Sequence, residues 1–462
     1  AGDVNVADYT GKKARIIGAM QQADEPMSKP AVAAALGYDK QNPINADFMD
    51  LVAAGVITPA GEQRAPRFAQ AAAAEPGEEQ PPAEDEYGLT GREEMSDEEI
   101  DAMFAAMKRA GEEEPEMTGV ETVPVSKGAK AKAAEDEGSL VTARDNWFMA
   151  AIHYGAAEWP YDDNSKKHFE LHNKKRECYL NYARLADHKI ESVSIPFKNK
   201  SVPGWFHLPP GYSGGRIPVV IALPGMDSFK EVNVALANDR WMQRGVAVLS
   251  IDGPGQYESA LSGLHVSMEN WIDVGPVLVD WLSRRAEIDP KRIGLTGTSF
   301  GSFFGTIVAA NEPRIAATTV SSTCLEPGCH TIFEEASPTF KKRFMWMSNF
   351  TDEAKFDTFA KTLTWEGHAE KIRNPYLCVA GEADELSPLE YTEKMFRAMS
   401  APRQLVIYSE SRHSVGNVSS TNLGPFPFVL MADWMLARLN GKPFTNERWY
   451  VEQTGRVVKS VI

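Results

Sequence analysis

No run of eighteen apolar residues occurs in the 462-residue chain, so no membrane-spanning helix is expected. The opening stretch AGDVNVADYTGKKARIIGAM lacks a basic segment leading into an apolar one, and a soluble, cytoplasmic protein without a secretory signal is the expectation. Cysteine is scarce. Cys178, Cys324, Cys329 and Cys378 are irregularly spaced, form no CxxC pair and adjoin no histidine cluster, which argues against a zinc site or a disulfide framework and for buried free thiols. Basic charge is also short, at 48 Lys and Arg against 64 Asp and Glu, for a net charge of −16.

That deficit is local. Residues 75 to 138 hold 20 acidic and 6 basic side chains and so carry −14 of the −16. The stretch EPGEEQPPAEDEYGLTGREEMSDEEI is Pro/Gly-rich and poor in β-branched residues, reading as a solvated linker held extended by repulsion. One island interrupts it: SDEEIDAMFAAMKRAG has Ser96 and Glu99 in capping-box spacing and sets Ile100, Met103, Phe104 and Met107 on one helical face, ending at Gly111. It reads equally as a docking helix or as a transient helix in a tether.

Ahead of the linker, three short helical patterns and GVITPAGEQ, suited to a small β-wing, resemble a winged helix. Phosphate binding would need a basic face, yet residues 1 to 60 carry five basic side chains against seven acidic ones. Protein docking or dimerisation is the expected role of this module, and no nucleic acid partner is expected.

From Ile190 onward, eight β-prone runs alternate with helical stretches: VSIPF, GWFHLP, PVVIALPG, GVAVLSID, RIGLTG, IAATTVSS, PYLCVAGEAD and RQLVIYSES. This order predicts an α/β fold with a mostly parallel eight-stranded sheet covered on both faces. Ligands in such sheets bind beyond the carboxyl ends of the strands. GxSxG occurs twice. GYSGG at 211 to 215 puts Ser213 in a Pro/Gly connector ahead of a strand and reads as a turn. GTSFG at 297 to 301 instead follows an apolar run and precedes FGSFFGTIVAA, giving the strand, sharp turn and helix of a nucleophile elbow around Ser299. Side chains at Gly297 or Gly301 would clash where strand and helix meet.

If Ser299 is a nucleophile it needs a base, because a free hydroxyl is weakly reactive near neutral pH. PYLCVAGEAD ends in Asp384, and His413 directly follows RQLVIYSES, so both fall at strand ends. The order Ser299, Asp384, His413 is that of α/β-hydrolases, and it predicts a triad in which His413 takes the proton and Asp384 fixes the tautomer. Glu382 and Glu385 are rival acids. Donors for a developing oxyanion are expected at the N–H of Phe300 and, in ALPGMDSFKE, of Met226, with Gly225 letting the backbone approach substrate. DGPGQ from Asp252 lacks the Lys and Ser/Thr of a phosphate loop. No metal or organic cofactor is required.

PGMDSFKE, DGPGQYES, IDPKRIGLTGTSFGS and DEAKFDTFAKTLTWEGHAEKIRNPYLCVAGEAD together resemble the α/β-hydrolase family of 2,6-dihydroxypseudooxynicotine hydrolase and the fermentation-respiration switch esterases, over about Leu140 to Leu439. The resemblance implies a homodimer and a two-part helical cap. The resulting division is a winged-helix-like module at 1–62, an acidic linker at 63–139, the first cap segment at 140–190, core at 191–320, a cap insertion at 321–372 and core again at 373–462. Both cap stretches are aromatic-rich, and Trp147, Phe148, Tyr154, Trp159, Phe344 and Trp346 are candidates to line an apolar pocket. Aromatics at helical spacing are mostly core, so only some of the six are expected to reach substrate. The chain departs from the family's usual glycines at Pro224 and Tyr257. The carbon–carbon-cleaving member uses an extra acidic cap residue; Glu326, His330 and Glu334 are the candidates in CLEPGCHTIFEE, and none is carried over as catalytic. The expected activity is hydrolysis of a small carbonyl substrate (ester, amide, thioester or ketone C–C bond) through an acyl-enzyme, against acyl transfer or a non-catalytic interaction role.

Overall fold

The computed structural model describes residues 16, 27–28, 32, 57–60, 67–70, 127–235 and 239–462. The chain divides into two units, 1–94 and 95–462. In the first, strands β1 (Met27–Ser28), β2 (Ile57–Ala60) and β3 (Arg67–Gln70) form an antiparallel sheet in the order β1-β3-β2. The β2–β3 hairpin begins in the stretch suited to a wing, but β3 lies past residue 62. Apart from single helical positions at Ile16 and Val32, the helices expected there lie outside the described residues, as does the amphipathic helix at 96–111.

The second unit is built on a sheet of ten strands: β4 (Ile190–Phe197), β5 (Lys200–His207), β6 (Ile217–Leu223), β7 (Ala247–Ile251), β8 (Ile288–Ser299), β9 (Ala317–Thr323), β10 (Tyr376–Gly381), β11 (Arg403–Tyr408), β12 (Glu447–Val451) and β13 (Val457–Val461). Their order is β13-β12-β11-β10-β9-β8-β6-β7-β5-β4, and every pairing from β12 across to β7 is parallel. The eight predicted runs are β4 to β11. The expected count of eight is corrected to ten by a C-terminal hairpin, ERWYV and VVKSV, whose residues are mostly half-buried or exposed. An edge hairpin of that kind has no continuous apolar run to announce it.

Among the described residues of this unit the helices are α1 (Lys127–Asp136), α2 (Leu140–Ala157), α3 (Lys166–Leu185), α4 (Tyr257–Leu261), α5 (Met268–Ser283), α6 (Phe300–Asn311), α7 (Pro338–Met347), α8 (Glu353–Ala360), α9 (Leu389–Ala398), α10 (Ser419–Leu423) and α11 (Pro427–Leu439). α1 lies inside the stretch read as linker, which corrects that reading for its last residues. Ala131 and Ala134 are buried, and Glu135 pairs with Arg184 and accepts from Trp147 Nε1, so this end is packed despite its charge. Among the described residues no helix is long and apolar enough to cross a membrane.

Alternation along β6 sorts its side chains to opposite faces. Val219, Ile221 and Leu223 join Trp271, Val274 and Leu278 of α5 and Phe303, Phe304 and Ile307 of α6 in one cluster. Val220 and Ala222 join Met431, Trp434 and Met435 of α11 in another. Full burial of each such side chain contributes about 1.5–3 kcal/mol, so the sheet is fixed from both sides and its strand ends become a rigid platform.

Candidate active site

Ser299 closes β8 and is followed at once by α6. Its backbone takes φ 56° and ψ −125°, a sparsely populated conformation for a residue with a side chain. The flanking glycines are sterically required. A Cβ on Gly297 would lie 2.0 Å from the Gly301 carbonyl oxygen, and one on Gly301 would lie 2.3 Å from that of Leu223. Strand and helix therefore meet with no room for a methyl group, and the serine hydroxyl is thrust out at the strand end. GYSGG, by contrast, is the turn expected before β6.

The loop after β11 brings His413 to this point. His413 Nε2 is 3.0 Å from Ser299 Oγ, and Nδ1 lies 3.0 and 3.1 Å from the two Asp384 oxygens, past the end of β10. Asp384 is itself oriented: its Oδ1 accepts the backbone N–H groups of Leu386 and Ser387 at 3.0 and 2.9 Å. A carboxylate on Nδ1 selects the tautomer that donates there, leaving Nε2 free to accept from the serine. Burial pulls the His413 pKa down, but the hydrogen bond and charge of Asp384, with smaller contributions from Asp227 and Glu385, reverse this and hold it above the ordinary 6.5. Of the rival acids, Glu385 accepts the backbone N–H of His413 at 3.0 Å, and Glu382 accepts from Tyr450 and Ser409, so neither stands on the ring.

Gly225 runs against Ser299, since a Cβ there would sit 3.0 Å from Ser299 Cβ. Met226 and Phe300 are both buried. The Phe300 ring lies under the insertion between β9 and β10, with its centroid 4.7 Å from Phe344 and 5.9 Å from Phe333, and Phe356 stands edge-on to both of those rings. Phe333 and Phe356 were not singled out in the sequence. Trp159 and Trp346 flank Arg343, whose guanidinium lies 5.5 and 4.3 Å from their centroids and donates to the carbonyls of Glu158 and Tyr161, joining the insertion to the segment before β4. Trp147, Phe148 and Tyr154 instead pack with Tyr179, Tyr182 and Trp205. Their spacing reflects helix packing between α2, α3 and the sheet, and the structure does not bring these three to the triad.

The acidic-cap candidates also point elsewhere. Glu326 accepts the Thr331 N–H at 2.8 Å, exposed His330 faces Glu335, and Glu334 pairs with Lys341. Cys324 Sγ, by contrast, is 4.0 Å from Ser299 Oγ, and burial pushes its thiol pKa well above the ordinary value. All four cysteines are free and buried.

Beneath the helices preceding β4 lies a buried ionic network that the sequence did not reveal. Lys230 Nζ contacts Asp252 at 2.9 Å, Glu258 at 2.6 Å and Glu231 at 3.2 Å; Lys175 Nζ contacts Glu158 at 3.1 Å and Glu231 at 3.8 Å; His168 and His172 approach Glu158 at 3.5 and 3.6 Å. Burial alone would neutralise Lys230, but its three carboxylates hold its pKa well above the ordinary value. Burial likewise pushes Glu258 up, and Lys230 and His172 pull it further down, to about 2. The network fastens α2 and α3 to the loops after β6 and β7, which carry PGMDSFKE and DGPGQYES.

Comparison with known proteins agrees with this architecture. The family described as "Esterase FrsA-like" matches residues 109–357. That match takes in Ser299 and ends before Asp384 and His413. "Alpha/beta hydrolase xenA" of Xenoacremonium sinensis is 30% identical over 247 residues, 50% of this chain and 55% of that protein. "2,6-dihydropseudooxynicotine hydrolase" of Paenarthrobacter nicotinovorans is 27% identical over 269 residues, 57% of this chain and 68% of that protein. The chain spans about half the length of the fungal relatives it matches, 55% for xenA and 47% for ucsC of an Acremonium species. The crystal structure of 2,6-dihydroxy-pseudo-oxynicotine hydrolase superposes with a TM-score of 0.61 at 23% identity, covering 75% of this chain and 97% of that one, which shows the shared fold.

Proposed function

This chain belongs to the FrsA-like esterase family, and from that premise we propose that it is a serine hydrolase working through Ser299, His413 and Asp384 on a small carbonyl substrate. The observation that carries the reading is the continuous relay Asp384–His413–Ser299, with every link at about 3 Å. In this reading His413 Nε2 takes the hydroxyl proton as Ser299 Oγ adds to the carbonyl carbon. The resulting oxyanion is held by the N–H groups of Met226 and Phe300. The proton then passes to the leaving group, and the acyl-enzyme is resolved by water activated by the same imidazole.

The reading takes an apolar acyl or aryl group as part of the substrate, supported by the mutually packed rings of Phe300, Phe333 and Phe344, of which Phe300 directly follows Ser299 in the chain. Ester, amide, thioester and β-diketone bonds are all compatible with the chemistry. A panel of the four bond types, each with short and aromatic acyl groups, tests the reading in wild type and Ser299→Ala. Cleavage of at least one type is expected, falling by about 10⁴-fold or more in the variant. Cleavage by Ser299→Ala at the wild-type rate would overturn it.

A further inference from the structure

We propose that Gln256 and Tyr257, adjacent residues where the turn after β7 enters α4, are positioning residues that clamp the loop carrying Met226 from behind and set the direction of its N–H. The inference rests on the serine-hydrolase reading above. Gln256 Nε2 donates to the Pro224 carbonyl at 2.5 Å, and its Oε1 accepts the Gly253 N–H at 2.9 Å, so the amide is fixed at both ends. Tyr257 donates its hydroxyl to the Asp227 carbonyl at 3.0 Å. The two bonds hold the loop on both sides of the Gly225–Met226 peptide, at the Pro224 carbonyl immediately before it and at the Asp227 carbonyl two peptides after it. In a planar trans peptide the carbonyl and the N–H point in opposite directions and turn together, so a donor on the Gly225 carbonyl holds the direction of the Met226 N–H. Gln256 Nε2 also lies 3.5 Å from the Gly225 carbonyl oxygen, on the side of that peptide opposite the Met226 N–H.

The clamp has a rigid mount. Asp252 is held by the Lys230 N–H and ammonium, Ser259 Oγ donates to the Asp252 carbonyl at 2.6 Å, and Trp271 Nε1 donates to the Pro254 carbonyl at 3.1 Å. Tyr257 has φ 25°, a conformation that a bulky residue keeps only where its surroundings over-determine it. Here they do: its ring lies 4.9 Å from Lys175 Nζ of α3, 4.8 Å from the Arg343 guanidinium of α7 and 5.1 Å from Phe229. Both helical segments over the sheet therefore bear on the residue that holds the oxyanion loop.

The test compares wild type, Gln256→Met and Tyr257→Phe in hydrolysis of 4-nitrophenyl butyrate, with active sites titrated by a fluorophosphonate and binding of an alkyl trifluoromethyl ketone measured alongside. That ketone forms a tetrahedral adduct whose oxygen occupies the oxyanion position. The clamp predicts a fall in kcat per titrated site of about 10²-fold for Gln256→Met and about 10-fold for Tyr257→Phe, with KM little changed and ketone affinity falling in parallel with kcat/KM. A purely structural role would lower the number of titrated sites and leave kcat per site intact, which overturns the proposal. If Gln256→Met fails to fold, Tyr257→Phe, which loses one oxygen and keeps its ring contacts, decides alone. Wild type that neither labels nor binds the ketone would overturn the hydrolase reading and the clamp with it; wild type that does both, with variants that match it, would overturn the clamp only.

Discussion

Asp384 closes on the His413 ring from the side opposite Ser299, with both carboxylate oxygens within 3.1 Å of Nδ1 while Nε2 stands 3.0 Å from the serine oxygen. The arrangement fixes which nitrogen carries the proton and raises the basicity of the other. A base must be neutral to act, so the acidic limb of the kcat/KM profile is expected above pH 6.5, with activity lost as pH falls through it. Glu385→Gln removes a charge that favours imidazolium and is expected to move that limb to lower pH. Asp384→Asn is expected to lower kcat by about 10⁴-fold. Steady-state profiles from pH 5 to 9 check all three.

The elbow makes a steric prediction. Gly301→Ala directs a methyl carbon at the Leu223 and Pro224 carbonyls, which are backbone and cannot rotate aside. Forcing α6 away from β6 is expected to cost about 1–3 kcal/mol and to displace Ser299, so thermal midpoint and turnover fall together. Calorimetry and ester hydrolysis on the same preparation test it.

The ionic network predicts a direction in pH. Glu258 is depressed from 4.5 to about 2 in the folded protein, so its contribution to stability is fully present above pH 4.5 and is lost as pH falls toward 2. Glu258→Gln is expected to be less stable than wild type at pH 7 and to show a flatter decline between pH 4.5 and 2. Lys230→Met removes the cation shared by Asp252, Glu231 and Glu258 and is expected to cost about 3–5 kcal/mol. Urea unfolding across that range distinguishes these outcomes.

Cys324, although 4.0 Å from Ser299 Oγ, is held protonated by burial. Cys324→Ala is expected to keep activity within about an order of magnitude, since a protonated thiol is neither nucleophile nor base. A loss matching that of Ser299→Ala would make the thiol part of the chemistry.

Much of this was legible in the sequence because local signals and topology agreed. Buried parallel strands read as apolar runs, and the strand-end rule singled out Asp384 and His413 from many carboxylates and nine histidines. The β12–β13 hairpin escaped because its residues are too exposed and charged to form such a run. Lys175, Lys230, Glu158 and Glu231 escaped for the opposite reason. Charged residues ordinarily read as solvated, and only tertiary contacts between segments far apart in sequence show that they are paired and buried. The roles of Gln256 and Tyr257 are hidden in the same way, since their partners are carbonyls about thirty residues upstream.

The most direct measurement is covalent. Purified protein treated with a fluorophosphonate and digested should yield a single adduct mapped by mass spectrometry to Ser299, absent from Ser299→Ala and suppressed at pH values where His413 is protonated. An unlabelled but folded wild type, or labelling that survives the substitution, would contradict the assignment of Ser299 as the nucleophile.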